Sequence, residues 1–298
     1  MSLTCTFWTC IGKTPVTCNL KLVTLLLFPN CKINLGLKII RKRDDGFHDL
    51  ETFFYPIAIK DVLEIAQNNN ATKDVEFITT GLPIAGDEES NLCIKAYRLL
   101  KKDFPQLPPI KMHLHKTIPM GAGLGGGSAD GAFALKLLNE KFQLNLSPEE
   151  LIGYALQLGS DCPFFIMNQP SFAEGRGEKL QSIRLDLSNY QFIIINPNIH
   201  INTGWAFSQI QPGQPAKPVK DIIQQPIITW KDELTNDFEV AVFETYPQIQ
   251  AIKENLYTQG AVYSSMTGTG STVFGIFNRD KNLTPVTEQY SMFTTLVV

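Results

Sequence analysis

No two cysteines in this 298-residue chain form a CxxC pair. The six, Cys5, Cys10, Cys18, Cys31, Cys93 and Cys162, are scattered, and the histidines stand at no zinc-ligand spacing. A structural zinc site is thereby excluded, and free thiols in a reducing cytoplasm are the expectation. An excess of one charge is also missing: 26 Lys and Arg against 29 Asp and Glu leave a net charge of −3. Neither a nucleic acid polymer nor a membrane surface is attracted by the chain as a whole, so an anionic ligand must be held by local groups. No apolar run is long enough to span a bilayer. The stretch Leu22–Phe28 is short, is interrupted by Thr24 and has no small-residue cleavage site after it, so it reads as a buried first strand. What the chain has in quantity is apolar side chains, 44% of the total, enough to fill one large core or two smaller ones.

It also has one dense run of glycine. Pro119-Met120-Gly121-Ala122-Gly123-Leu124-Gly125-Gly126-Gly127-Ser128 places five glycines within seven positions, followed by a hydroxyl. Such a run is costly in backbone entropy for an ordinary turn. Ile110, Met112 and Leu114 alternate with Lys111, His113 and His115 before it, which predicts a strand. Ala132, Phe133, Leu135, Leu138 and Phe142 recur at helical spacing after it. Strand, glycine loop and helix start form an anion site, because free backbone N–H groups and the positive end of the helix dipole converge. A tight structural connection is the plain alternative. The dinucleotide pattern Gly121-x-Gly123-x-x-Gly126 fails on context, because it needs a second strand ending in an acidic residue about 20 residues on. Here the helix runs into Ser147-Pro148-Glu149-Glu150, a capping box that opens another helix. A P-loop is excluded because no Lys-Ser/Thr follows the last glycine, and protein-kinase signatures are absent.

Elsewhere the pattern mixes strands and helices without strict alternation, which predicts an α+β fold. Strands are expected over 33–39, 53–57, 62–65, 75–79, 192–195, 261–265 and 272–277. Helices are expected after Ser90-Asn91 to about Asp103, over 232–244 and over 247–259, with 209–226 a Pro- and Gln-rich surface loop. A change of layer near 165–180 divides the chain into 22–168 and 169–298, with 1–21 an extension of no assigned role.

Three local segments carry chemistry-bearing groups. Asp161 follows a helix in Gly159-Ser160-Asp161-Cys162-Pro163, where a turn Asp bonding its own backbone is the simple reading. Lys32 opens an alternating strand beside Asn30 and Asn34, a position usually just solvated. Phe47-His48 follows the turn Asp45-Gly46 and suits stacking on a heterocycle, or packing on its own hairpin.

Taken together, Pro29–Leu35, Asp45–His48, Pro119–Asp130, Leu158–Pro163 and Thr267–Phe274 occur in an order that resembles the GHMP kinase superfamily, from about residue 24 to the end. The resemblance is to a branch acting on a small alcohol that carries a cytidine diphosphate group, with homoserine or mevalonate kinases, or a non-catalytic nucleotide-binding relative, as alternatives. It implies a two-domain GHMP kinase fold: an N-terminal domain like ribosomal protein S5 domain 2 and a C-terminal α/β sandwich substrate domain, with ATP and acceptor between them. It implies that Asp161 is the catalytic base and Lys32 its electrostatic partner. ATP phosphates would lie on Pro119, Met120, Gly121, Ala122, Gly123, Leu124, Gly125, Gly126, Gly127 and Ser128, with Asn91 and Lys116 also at the nucleotide. Mg²⁺ is implied, with Ser128 as a ligand. His48 would read the cytosine edge between Phe47 and Phe207, while Asn34 and Thr203 touch the acceptor and Gly268, Thr269 and Gly270 close over it. A cytoplasmic monomer or weak homodimer is the corresponding expectation. Two positions depart from the family pattern: Phe47 replaces a usual Tyr, and Gly131 replaces a usual Ala at an expected cost of about 0.5–1 kcal/mol in helix stability.

Overall fold

The computed structural model describes residues 5–6, 17–18 and 24–298. Expectations for the other residues lie outside that range. A short antiparallel pair, β1 (Cys5–Thr6) and β2 (Thr17–Cys18), precedes the main body.

The first layer is a four-stranded sheet in the order β3 (Thr24–Leu27), β6 (Val62–Gln67), β8 (Ile110–Lys116), β7 (Val75–Gly81). Strand β8 behaves as its alternation predicts: Ile110, Met112 and Leu114 are buried, while Lys111 and His115 face solvent. Helices α1 (Leu92–Asp103), α2 (Gly126–Phe142), α3 (Pro148–Leu158) and α4 (Cys162–Met167) cover the buried face. Ser147 and Glu150 form the capping box of α3. The expected buried first strand is instead an edge strand. Among the described residues β3 pairs with β6 alone, and its alternation packs Leu25 and Leu27 against the first core while Leu26 is exposed on the other face.

The second sheet runs β10 (Lys179–Ser182), β9 (Ser171–Gly175), β5 (His48–Lys60), β4 (Asn30–Lys42). The expected division between residues 168 and 169 therefore runs through this sheet, since β9 and β10 lie beyond it and pair back to β5. The third sheet is β12 (Tyr263–Met266), β13 (Val273–Asn278), β11 (Tyr190–Asn196), β14 (Thr294–Val297). Period-two alternation makes β11 serve two cores. Phe192 and Ile194 meet Ile33, Leu35, Phe53 and Phe172 of the second sheet, whereas Ile193 and Ile195 meet α8 (Phe238–Thr245) and α9 (Pro247–Thr258).

Strand β4 positions half of the site. Cys31, Ile33 and Leu35 point into the shared core, so Lys32 and Asn34 point the other way, toward the glycine loop. A register shift between Leu35 and Leu37 then changes the phase, and Leu37 and Ile39 join the core beneath α8.

Two expected elements differ. The helix expected over 232–244 is broken into α7 (Trp230–Glu233) and α8, because residues 235–237 leave the helical path to bridge β4: Leu37 N donates to Thr235 O and Asp237 N donates to Leu37 O. The expected loop 209–226 contains the short helix α6 (Val219–Ile222), whose Val219 and Ile222 are buried, so its apolar residues pay out as packing against the shared core.

Candidate active site

The glycine loop lies between Lys116 and α2, as the pattern predicts. Gly125 caps α2 in the left-handed region, with no side chain capping the helix, so the first-turn amides remain directed outward at the positive end of a 17-residue helix. Gly123 has φ +77°, and a Cβ there would stand 2.1 Å from the carbonyl oxygen of Thr267. Only glycine allows this approach, which seats the loop directly on the second glycine turn at 267–271. That turn is held in place by Asn236, whose amide donates to Met266 O (2.8 Å) and Gly268 O (2.9 Å). The break in the helix expected over 232–244 thus supports the site.

Lys32 is 4% exposed, and its ammonium converges on this junction. It donates to Asn34 Oδ1 at 2.7 Å and Gly123 O at 3.3 Å, lies 3.5 Å from Asp161 Oδ2, and sits 5.0 Å from the centre of the Phe54 ring. Asp161 is only partly buried and opens onto the cleft. Two residues distant by 129 positions in sequence are thus brought together beside the glycine loop.

Asn34 lines the cleft, but its side chain is engaged within the protein. Its Oδ1 accepts from Lys32, its amide donates to Thr52 Oγ1 at 2.9 Å, and its backbone N–H donates to Thr267 Oγ1 at 3.0 Å. The Thr267 hydroxyl in turn lies 3.1 Å from both Asn34 Oδ1 and Gly123 O. This network holds the lysine on target.

The cleft has a volume of about 1380 Å³. Pro119, Met120, Gly121, Ala122, Gly123, Gly125, Gly126, Gly127, Ser128, Asn91, Phe47, His48, Thr203, Phe207, Gly268 and Thr269 all border it. Three residues named from the sequence do not: Leu124, Gly270 and Lys116. Leu124 and Lys116 are turned into the interior. The Lys116 ammonium is wholly buried between Asp61 and Asp130, at 2.8 Å from Asp130 Oδ2. Asp61 also accepts the backbone N–H groups of Thr117 and Ile118, so this cluster pins the start of the glycine loop. Burial, reinforced by the charge of Asp61, pushes the Asp130 carboxyl up to about 8 although Lys116 opposes it. Local sequence gives no sign of this cluster, because Asp61 and Lys116 are 55 positions apart.

At the far end of the cleft, Phe47 is 52% exposed on a hairpin tip fastened by Arg43, which bonds both Asp45 and Asp49. His48 stacks on Phe207, with ring centres 4.9 Å apart, and Phe207 rests edge-on against Phe238. Burial and the nearby charge of Lys42 push the His48 imidazole below its ordinary range, which favours the neutral ring. The sequence reading missed Arg176, whose guanidinium lies 4.8 Å from the Phe47 ring centre and borders the cleft. A cation between two glycines at a hairpin tip, Gly175-Arg176-Gly177, was its only local signal.

Gly131, expected to weaken α2, has a packing reason. A Cβ there would stand 2.7 Å from Leu92 Cβ, so glycine lets α1 and α2 approach closely.

Comparison with known proteins agrees with this geometry. Residues 91–175 match the model of the GHMP kinases N terminal domain, and residues 219–291 match that of the GHMP kinases C terminal. A 4-diphosphocytidyl-2-C-methyl-D-erythritol kinase of Bacteroides fragilis is 51% identical over 260 residues, covering 87% of this chain and 94% of the relative. One of Bacteroides thetaiotaomicron is 52% identical over 259 residues, with the same coverage of both chains. Among solved structures, a 4-(cytidine 5'-diphospho)-2C-methyl-D-erythritol kinase superposes with a TM-score of 0.79 at 25% identity, covering 92% of this chain and 98% of the other. The mevalonate kinase of Methanococcus jannaschii shares the fold, with a TM-score of 0.66 at 13% identity and coverage of 93% and 98%.

Proposed function

This chain belongs to the GHMP kinases, in the group of the 4-diphosphocytidyl-2-C-methyl-D-erythritol kinases, and we propose that it transfers the γ-phosphoryl group of ATP to the 2-hydroxyl of that cytidine diphosphate alcohol, a step of the non-mevalonate route to isoprenoid precursors. The observation that carries this reading is the Lys32–Asp161 pair, 3.5 Å apart, beside a glycine loop that opens a long helix.

Phosphoryl transfer depends chiefly on positioning and charge stabilisation. The outward amides of the loop and the dipole of α2 bind the nucleotide phosphates at Gly121 to Ser128, and Asn91 borders the same end. Asp161 accepts the proton of the acceptor hydroxyl as its oxygen bonds to the γ-phosphorus and the bond to the ADP oxygen breaks. The Lys32 ammonium, 3.5 Å from Asp161, stabilises charge that develops between acceptor and phosphate. Asn34 keeps that ammonium in place and so acts on the reaction through Lys32. The Lys116 ammonium, wholly buried between Asp61 and Asp130, acts by fixing the loop.

Among the described residues no cluster of three His, Cys, Asp or Glu side chains is arranged to hold a metal ion alone. Magnesium takes much of its shell from phosphates and water. Ser128 borders the cleft and would hold it there, where the ion would offset charge on the transferred group. For the acceptor, Phe47 and His48 with Phe207 supply aromatic faces and a neutral imidazole suited to a cytosine. Three buried thiols, Cys31, Cys93 and Cys162, support a reducing cytoplasm. The test is ADP release from ATP and magnesium with 4-diphosphocytidyl-2-C-methyl-D-erythritol. Turnover on that acceptor is expected. Its absence, together with good turnover on homoserine or mevalonate, would move the chain to another branch.

A further inference from the structure

The acceptor proposed above has its base at one end, its reacting hydroxyl at the other, and two negative phosphates between them. The aromatic end of the cleft and the Asp161 end are both placed, so the group that lies between them can be sought.

Arg176 occupies that interval. It stands at the tip of the hairpin that joins β9 to β10. The tip is fixed by the Glu178 carboxylate, which accepts the Arg176 backbone N–H at 2.5 Å, and by Gly177 N donating to Glu174 O at 3.1 Å. Gly177 has φ +102°, and a Cβ there would lie 3.7 Å from Asp161 Oδ1, so the residue next to Arg176 borders the proposed base. In the other direction the guanidinium rests on Phe47, on the face of a ring assigned to the cytosine end. The hairpin tip Arg176-Gly177 therefore touches the aromatic end through Arg176 and borders the Asp161 end through Gly177.

Its charge is weakly committed. The nearest carboxylate contact is Glu178 Oε1, at 4.0 Å from Nε, and Asp45, the other acidic group nearby, is bonded by Arg43. The guanidinium is neither buried nor fully exposed: its side chain is partly covered, lies over the Phe47 ring and borders the cleft. A planar fork of this kind matches phosphate oxygens. The ammonium of Lys116 is enclosed by two carboxylates, and Lys32 is committed to Asn34 and Asp161.

From this placement we infer that Arg176 is a specificity-determining residue that reads the diphosphate of the acceptor, selecting a nucleoside diphosphate alcohol over an uncharged cytidine compound. The inference rests on the acceptor class proposed above.

The experiment measures binding of cytidine and of CDP, without ATP, to the wild-type chain and to the Arg176→Gln and Arg176→Lys variants, by calorimetry at two salt concentrations. In the wild type CDP is expected to bind tighter than cytidine. In Arg176→Gln the cytidine affinity should stay within about threefold, while CDP should weaken by about 10- to 100-fold and lose much of its salt dependence. Arg176→Lys should recover part of the CDP affinity, which a failure to fold would not allow. An unchanged CDP-to-cytidine ratio in Arg176→Gln, or an equal loss of both ligands, would overturn the inference and leave Arg176 as a staple between two hairpins. Failure of the wild type to bind either compound would instead overturn the acceptor reading, and the inference with it.

Discussion

Replacing Gly123 with alanine would force apart the two loops on which the active site is built. The new Cβ would stand 2.1 Å from Thr267 O, 2.9 Å from the Thr267 carbonyl carbon and 3.4 Å from Gly270 O. The close partners are backbone atoms, which cannot rotate out of the way, and the turn carrying them is tied to Asn236. The glycine loop must therefore retreat by roughly 1 Å, and a displacement of that size costs about 10²-fold in rate even when the chemistry is untouched. The left-handed backbone at φ +77° adds about 1–2 kcal/mol for any residue with a Cβ. The same retreat removes Gly123 O from Lys32 and from Thr267. Steady-state ADP release should show kcat/KM reduced about 100-fold or more, and a thermal melt should show a fall of about 2–8 °C. Wild-type kinetics in Gly123→Ala would refute the claim that contact between the loops sets the geometry of transfer.

Other outcomes follow from the same contacts. Gly131→Ala should destabilise the protein by about 1–2 kcal/mol, because overlap with Leu92 exceeds the gain in helix propensity. Gly153→Ala, in α3 with nothing within 4 Å, should stabilise it by up to about 1 kcal/mol, and urea denaturation distinguishes the two signs. For His48, burial first and the Lys42 charge second lower the folded-state pKa, so the unfolded chain binds the proton more readily. The His48 contribution should therefore be level above neutrality and turn destabilising as pH falls through the ordinary histidine value of 6.5. Phe207→Ala should move the imidazole back toward that value in an NMR titration, and an unmoved titration would show that the stack does not desolvate the ring.

Short-range patterns made much of the fold legible. The alternation in 110–114, the glycine run and the Ser147–Glu150 capping box all specify structure within a few residues, and each is present. Where partners lie far apart, local sequence was silent or misleading. The apolar spacing over 232–244 is helical, yet Asn236 and Asp237 serve β4 and the 267–271 turn, and those tertiary bonds outweigh helix propensity. β3 is apolar but lies at a sheet edge, a fact of topology that a run of leucines does not encode. In the site, the resemblance directed attention to Lys32 and Asp161, and the fold brings them within 3.5 Å. It could not reveal that Asn34 has its side chain committed to Lys32 and Thr52, nor that Lys116 is enclosed by Asp61 and Asp130. Arg176 escaped notice because its meaning comes from Phe47, on a different hairpin.

The central claim is that Asp161, held beside Lys32, takes the acceptor proton, while nucleotide binding depends on the glycine loop and not on Asp161. Asp161→Asn keeps the shape of the side chain and removes its basicity. Paired measurements of kcat and of ATP affinity on that variant test the claim most directly. A fall in kcat of about 10²–10⁴-fold with ATP affinity within about threefold of wild type is the expected result. Near-normal turnover in Asp161→Asn would contradict it.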